Sequence, residues 1–310
     1  MSRDSLSEKV LTSAEEGDAL TLRQLLKAGA SCRNIYGGYC LRGPLTLAAQ
    51  KGHLECVKIL IEFGADIQEE DIAMDTPITL AAAQGRTECV RYLLEKGADV
   101  NSYSVNGTPL IQAARCGSVE CVQLLLAHGA DVHVSVSYGT TALKEAVYKQ
   151  SADCVKLLVE HGAKVTEVDE FGFDEMMLAV MSGNEECIQL ILAAGGNPEY
   201  LGKQLEISLF DAVNDDDVAR VRDLLKKGAD VNFKNGFGET VLFRALLYGT
   251  PCDCIPDILA AKPDETIKNE RGYTAWEQAK VYGALHGSGM TVEDIRKMPF
   301  AEIEEEDASD

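Results

Sequence analysis

The feature that most constrains how this chain can fold is a recurrence. A glycine followed by alanine or glycine closes an apolar stretch at Gly29, Gly64, Gly97, Gly129, Gly162, Gly195 and Gly228. By subtraction, the intervals are 35, 33, 32, 33, 33 and 33 residues. Cysteines keep the same step, since Cys56, Cys89, Cys121, Cys154 and Cys187 each stand eight residues before the next such glycine. Cys254 follows in register ahead of Lys262-Pro263-Asp264. A period this long implies modules that are too small to bury an apolar face alone and must stack on their neighbours.

Each module reads alike. It opens on Thr76-Pro77, Thr108-Pro109 or Thr141-Ala142. The threonine can cap a helix, and a proline at the first helical position loses no hydrogen bond. A helix of small residues follows, as in Leu80-Ala81-Ala82-Ala83. A glycine then breaks the chain at Gly52, Gly85, Gly117, Gly183 or Gly249. The second helix carries one apolar stripe, as in Cys89, Val90, Leu93 and Leu94, and the closing glycine is placed to end it in the left-handed conformation.

The units GPLTLAAQKGHLECVKILIEFGAD (43–66), DTPITLAAAQGRTECVRYLLEKGADVN (75–101) and GTPLIQAARCGSVECVQLLLAHGADV (107–132) resemble ankyrin repeats. Residues 139–165 do so equally, and 173–197, 208–232 and 238–264 more loosely. The resemblance covers residues 5–286 and implies an all-α repeat fold. That fold is an ankyrin solenoid of about nine helix-turn-helix units joined by β-hairpin fingers, with caps near 10–30 and 272–285. The domain reading is a solenoid over 1–286 and an acidic tail over 287–310, with a short helix expected from Thr291. One departure is consistent: Thr79, Ile111 and Lys144 stand where the family places histidine, which removes an inter-repeat hydrogen-bonding side chain. Asp216 stands where a unit's middle glycine is expected, so a kink or loosening is expected near 198–217.

The recurring thiols are expected to serve packing. Neighbouring helices lie about 8–10 Å apart, whereas a disulfide needs Cα atoms about 4.4–6.8 Å apart. Equivalent cysteines therefore neither bridge nor gather on one zinc ion, and buried thiols act as small hydrophobes. Cys252-x-Cys254 lacks a second ligand pair nearby in sequence, so packing is the reading there too. Cys32, Cys40 and Cys116 lie off register and are expected to be more exposed.

The sequence offers no catalytic constellation. His53, His128, His133, His161 and His286 fall at helix ends, on links or beyond the cap, none at a metal-motif spacing. There is no P-loop or G-x-S-x-G elbow. Asp215-Asp216-Asp217 reads as a solvated turn. The expectation is therefore no enzyme, no cofactor, no metal and no catalytic residue.

Net charge bounds the partners. The 310 residues carry 50 acidic against 29 basic side chains, a formal charge of −21. Such a surface repels nucleic acids and anionic membranes and suits a basic partner. The charged opening MSRDSLSEKV has no apolar signal region, and no apolar run approaches the roughly 20 residues of a membrane span. With ten cysteines spread along the chain, reduced thiols and a cytoplasmic location are expected.

The resemblance implies that the fingers and first helices line a concave face that grips other proteins. Ten of the 19 Phe, Trp and Tyr residues fall on the links, among them Tyr36, Tyr39, Tyr200, Phe233 and Tyr273. The residues expected to touch a partner are Tyr103, Tyr138, Phe171, Phe173 and Phe237, with the acidic Glu69, Glu70, Asp71, Glu167, Asp169 and Glu170 beside them. The implied function is a non-catalytic protein-interaction module, monomeric alone, whose partner is a protein with a basic, partly apolar patch. The alternative is a dedicated inhibitor, an immunity or regulatory subunit that blocks a basic enzyme site.

Overall fold

The structure, a computed structural model, describes residues 3–32, 42–165, 167–247 and 252–282. Tyr36, Tyr39, Cys40, Gly249, His286 and the expected tail with its short helix lie outside the described residues. Among those described, the elements are helical, with one short strand pair. The helices are α1 Arg3–Glu16, α2 Ala19–Lys27, α3 Pro44–Lys51, α4 Leu54–Glu62, α5 Pro77–Ala83, α6 Thr87–Glu95, α7 Pro109–Cys116 and α8 Val119–Ala127. They continue with α9 Ala142–Tyr148, α10 Ala152–Glu160, α11 Glu175–Ser182, α12 Glu185–Ala193, α13 Gln204–Asn214, α14 Val218–Lys226, α15 Val241–Leu247, α16 Ile255–Ala260 and α17 Ala275–Tyr282.

The chain forms two compact units. One comprises Met1–Glu167 with Asn184–Gly196, the other Val168–Gly183 with Asn197–Asp310. In the first, α1, α3, α5, α7 and α9 pack in succession, and α2, α4, α6, α8, α10 and α12 make a second row. In the second, α11, α13, α15 and α17 pack in succession, while α14 meets α16.

Local sequence explains the elements. Thr76, Thr108 and Thr141 accept hydrogen bonds from the backbone N–H groups of Thr79, Ile111 and Lys144, capping α5, α7 and α9. Pro77 and Pro109 occupy first-turn positions. All seven closing glycines have positive φ, from 83° at Gly129 to 103° at Gly195, the left-handed turn that ends each second helix. The small residues of the first row explain its close packing: Ala48, Ala49, Ala81, Ala113 and Ala114 are fully buried.

Two expectations about the first row and links are refined. Thr79 does not leave the seam without polar cohesion. Its hydroxyl lies 2.8 Å from that of Thr76 and 3.3 Å from that of Ser102, a buried cluster that reaches the next repeat's link. Among the described residues the links carry little regular ladder: β1 Ser135–Val136 pairs with β2 Thr140–Thr141, and isolated bridges join Ser104–Gly107 and Lys268–Thr274. The stretch 198–217 is not loosened. Its α13 is 11 residues long and buries Ile207, Leu209, Phe210 and Ala212 completely.

The thiols sit on the seam. Cys56, Cys121, Cys154, Cys187 and Cys254 are fully buried and Cys89 nearly so, and the recurring thiols form no disulfides among themselves. Their weak polar contacts run to neighbouring repeats: Cys121 Sγ lies 3.3 Å from Thr87 Oγ1, and Cys56 Sγ 3.9 Å from the Ser13 carbonyl. Cys32, expected to be exposed, is buried, its thiol donating to the Phe63 carbonyl; Cys116 is half-buried.

Burial pushes the Cys56 and Cys89 thiols up to about 11 from an ordinary 9.0. A folded-state pKa above the unfolded value contributes stability below pH 9.0 that is lost as pH rises towards about 11. At pH 8 the thiolate fraction, and with it alkylation by iodoacetamide, should be roughly a hundredfold lower at these two sites than at an unshifted thiol. Mass-spectrometric mapping of native labelling checks this. Labelling of Cys89 in the native chain as fast as in the urea-unfolded chain would contradict it.

Candidate partner-binding fingers

The links are built by one recurring device. Asp71 Oδ1 accepts from the backbone N–H of Ala73 at 2.8 Å and of Asp75 at 3.0 Å. Asp169 Oδ1 does the same for Phe171 and Phe173, both at 2.9 Å. Asn235 repeats it with Phe237 and Glu239, and Asn269 with Arg271 and Tyr273. A side chain that accepts from residues two and four ahead closes the loop without a strand ladder. A second set tightens each descent from a helix: Asp66, Asp99, Asp131, Asp230 and Asp264 each accept from the N–H two residues on. Asn101 and Asn232 then reach the following repeat, accepting from Asp131 N–H at 2.8 Å and Asp264 N–H at 2.7 Å.

This device reassigns several residues expected to meet a partner. Asp71 is spent on its loop, and its other oxygen pairs with Arg42 at 3.2 Å. Asp169 likewise holds its own loop. Glu69 accepts from Thr46 N–H at 3.1 Å and Thr46 Oγ1 at 2.7 Å, so it fastens the start of α3. Burial pushes its carboxyl up, with the Thr46 hydrogen bonds opposing. Glu167 pairs with Lys164 at 3.0 Å. Glu70 and Glu170 are the most open of the six, and Glu170 also lends its carbonyl to Arg244 at 3.2 Å.

The aromatic set divides too. Phe173 is a core ring, 4% exposed and edge-on to Phe210 at 6.4 Å, so burial removes it from the contact surface. Phe171 is half-buried: the Arg244 guanidinium stands 5.5 Å from its ring, and its carbonyl accepts from Asn235 Nδ2 at 3.2 Å. Phe237 is half-buried and lines a cavity of about 280 Å³ with Glu170, Glu239, Arg244 and Gln278. Tyr103 and Tyr138 are exposed, at 52% and 61%.

Sequence reasoning missed their neighbours. Ile72 is 67% exposed, Val105 60% and Met74 42%. Ile72, Val105 and Tyr138 recur every 33 positions, at finger tips of the first unit. The Val105 N–H donates to the Ala73 carbonyl at 3.0 Å, which sets two of these tips side by side. Met74 and Tyr138 hold φ of 59° and 64°, a conformation unfavourable for large side chains and here imposed by the loop. The period itself carries the signal, because the tip position takes isoleucine and valine as well as tyrosine.

Comparison with known proteins agrees with this geometry. A family profile described as ankyrin repeats (three copies) matches residues 11–104 and 102–169, about half of the chain. Over 62 residues the chain is 40% identical to the probable E3 ubiquitin-protein ligase XBOS33 of Oryza sativa subsp. japonica, covering 19% of this chain and 12% of that protein. Over 64 residues it is 42% identical to ankyrin repeat and SOCS box protein 12 of Mus musculus, covering 20% and 21%. The matches thus span about an eighth and a fifth of these relatives. The crystal structure of the human ASB11 ankyrin repeat domain superposes with a TM-score of 0.56 at 24% identity, over 82% of this chain and 97% of that one. At that identity the likeness is one of fold. The profile match, the glycine-closed helix pairs and the two rows of stacked helices place the chain in the ankyrin-repeat family.

Proposed function

We propose that this chain is a non-catalytic adaptor that binds another protein through the finger tips of its first unit. Ankyrin repeats are protein-interaction modules, and the supporting observation is the run of outward apolar side chains Ile72, Val105 and Tyr138, flanked by Met74 and Tyr103. Large side chains left in water on fixed loops cost a monomer and serve an interface. The partner has a basic, partly apolar patch, because the chain's charge of −21 attracts cations and repels polyanions. Neither nucleic acid nor membrane is a partner on this reading. Among the described residues no helix is long and apolar enough to cross a membrane. The seam's free thiols suit a reducing compartment such as the cytoplasm.

The test is affinity capture by the full chain, with bound proteins identified and their affinities measured at rising salt. A captured partner should bind several-fold more weakly as ionic strength rises from low to physiological. Binding that ignores salt, or a partner set identical for nucleic acids and proteins, counts against the reading. If the partner is an enzyme, its activity with and without this chain separates the adaptor from the inhibitor.

A further inference from the structure

We propose that Asp216, Cys252 and Cys254 form a three-ligand site for a thiophilic divalent cation, best matched by Zn²⁺. These residues are far apart in sequence, and the second unit brings them together. Asp216 Oδ1 lies 2.8 Å from Cys252 Sγ and 3.3 Å from Cys254 Sγ. One potential ligand atom from each of the three lies within 4.8 Å of the others. A four-coordinate zinc with bonds of about 2.0–2.3 Å sets its ligand atoms about 3.5 Å apart. To reach that arrangement the Asp216–Cys252 pair must open by about 0.7 Å and the Asp216–Cys254 pair by about 0.2 Å.

The backbone is already committed to it. Asp216 occupies the place held in other repeats by Gly52, Gly117 and Gly183, and takes the same left-handed turn with φ 53°. Aspartate tolerates that conformation better than most side chains, though at a cost glycine does not carry. Gln150 takes the same turn elsewhere and has no thiol pair, so the turn alone does not explain the cluster. Asp217 meanwhile caps α14 through Arg220 N–H, which leaves the Asp216 carboxylate free of helix capping. Cys254 is fully buried, Cys252 half-buried and Asp216 exposed, so one side of the site is anchored in protein and the other open to a water ligand.

The donor set selects the ion. Two thiolates disfavour Mg²⁺ and Ca²⁺, which take oxygen ligands, while the carboxylate disfavours Cu⁺. On binding, the two thiols release one proton each to solvent and the aspartate enters as the carboxylate. No electrons move. Three anionic ligands around a dication leave one net negative charge, and the Arg222 guanidinium, paired with Asp257 at 2.7 Å, lies close enough to Cys254 to interact with it. The ion would fasten the α13–α14 turn to the segment leading into α16, joining two successive repeats.

The experiment is a Co²⁺ titration of the reduced, chelator-treated full chain, followed by Zn²⁺ competition. One equivalent of Co²⁺ should give thiolate-to-cobalt charge-transfer absorption and visible bands of tetrahedral intensity, both removed by Zn²⁺. Cys252→Ser and Asp216→Asn should each weaken binding at least roughly tenfold. Asparagine keeps the left-handed turn, and position 252 is only half-buried, so both variants should retain the wild-type circular dichroism. Cys116→Ser, which removes none of the three ligands, should bind as wild type. Absence of the bands at one equivalent overturns the proposal, as do unchanged bands in both ligand variants. A Cys252–Cys254 disulfide that persists under reductant would overturn it too, because the bonded sulfurs could not bind as thiolates.

Discussion

Phe210→Ala should destabilise the second unit by about 3–5 kcal/mol, the usual cost of deleting a fully enclosed aromatic side chain. Phe210 is fully buried on α13. Its ring meets Phe173 edge-on at 6.4 Å and Phe233 at 6.2 Å, and Phe233 in turn meets Tyr200 at 6.0 Å. Alanine would remove the centre of this chain of rings and leave a cavity lined by α13 and two links, which are too constrained to collapse into it. The single tryptophan, Trp276, belongs to the same unit and is 8% exposed, its indole N–H donating to Glu265 Oε2 at 2.7 Å. Its fluorescence during urea unfolding should therefore report the loss directly. A cost below about 1 kcal/mol would mean the rings are not the unit's organising core.

Tyr138→Ala combined with Val105→Ala should weaken partner binding by about 2 kcal/mol or more, roughly thirtyfold, without changing helical content. The two side chains are 61% and 60% exposed, so their removal takes little from the folded state. Alanine at 138 must still adopt φ 64°, which the β1–β2 turn imposes on tyrosine already. Phe171 is a poorer probe, because truncating it also strips the Arg244 contact and confuses binding with stability. Isothermal titration against the captured partner, with unfolding measured in parallel, separates the two effects. Full affinity in the double variant would move the interface away from these tips.

The helical array was legible because its signals are local and repeated. Thr76, Pro77 and Gly97 announce a start, a first turn and a stop by backbone chemistry alone, and the 33-residue step repeats that message along the chain. The burial of Cys89 follows from its place on an apolar stripe. The candidate surface was legible only in part. Tyr138 and Tyr103 could be picked as link aromatics, but Phe173, two residues beyond Phe171, reads no differently in sequence and turns inward. Acidic residues were harder still. Nothing in the string distinguishes Glu70, which stays in water, from Glu69 and Asp71, whose carboxylates bind Thr46 and the loop's own N–H groups.

By itself, then, the amino-acid order determined the module, its period, its helix ends and the hydrophobic seam, because each depends on a few adjacent residues and the 3.6-residue turn of a helix. Tertiary structure decided which polar and aromatic side chains remain available. It drew Glu69 to Thr46, sank Phe173 against Phe210, and carried Asp216 to Cys252 and Cys254, 36 and 38 positions away. Those outcomes depend on what a neighbouring repeat presents across the stack. No local pattern encodes it.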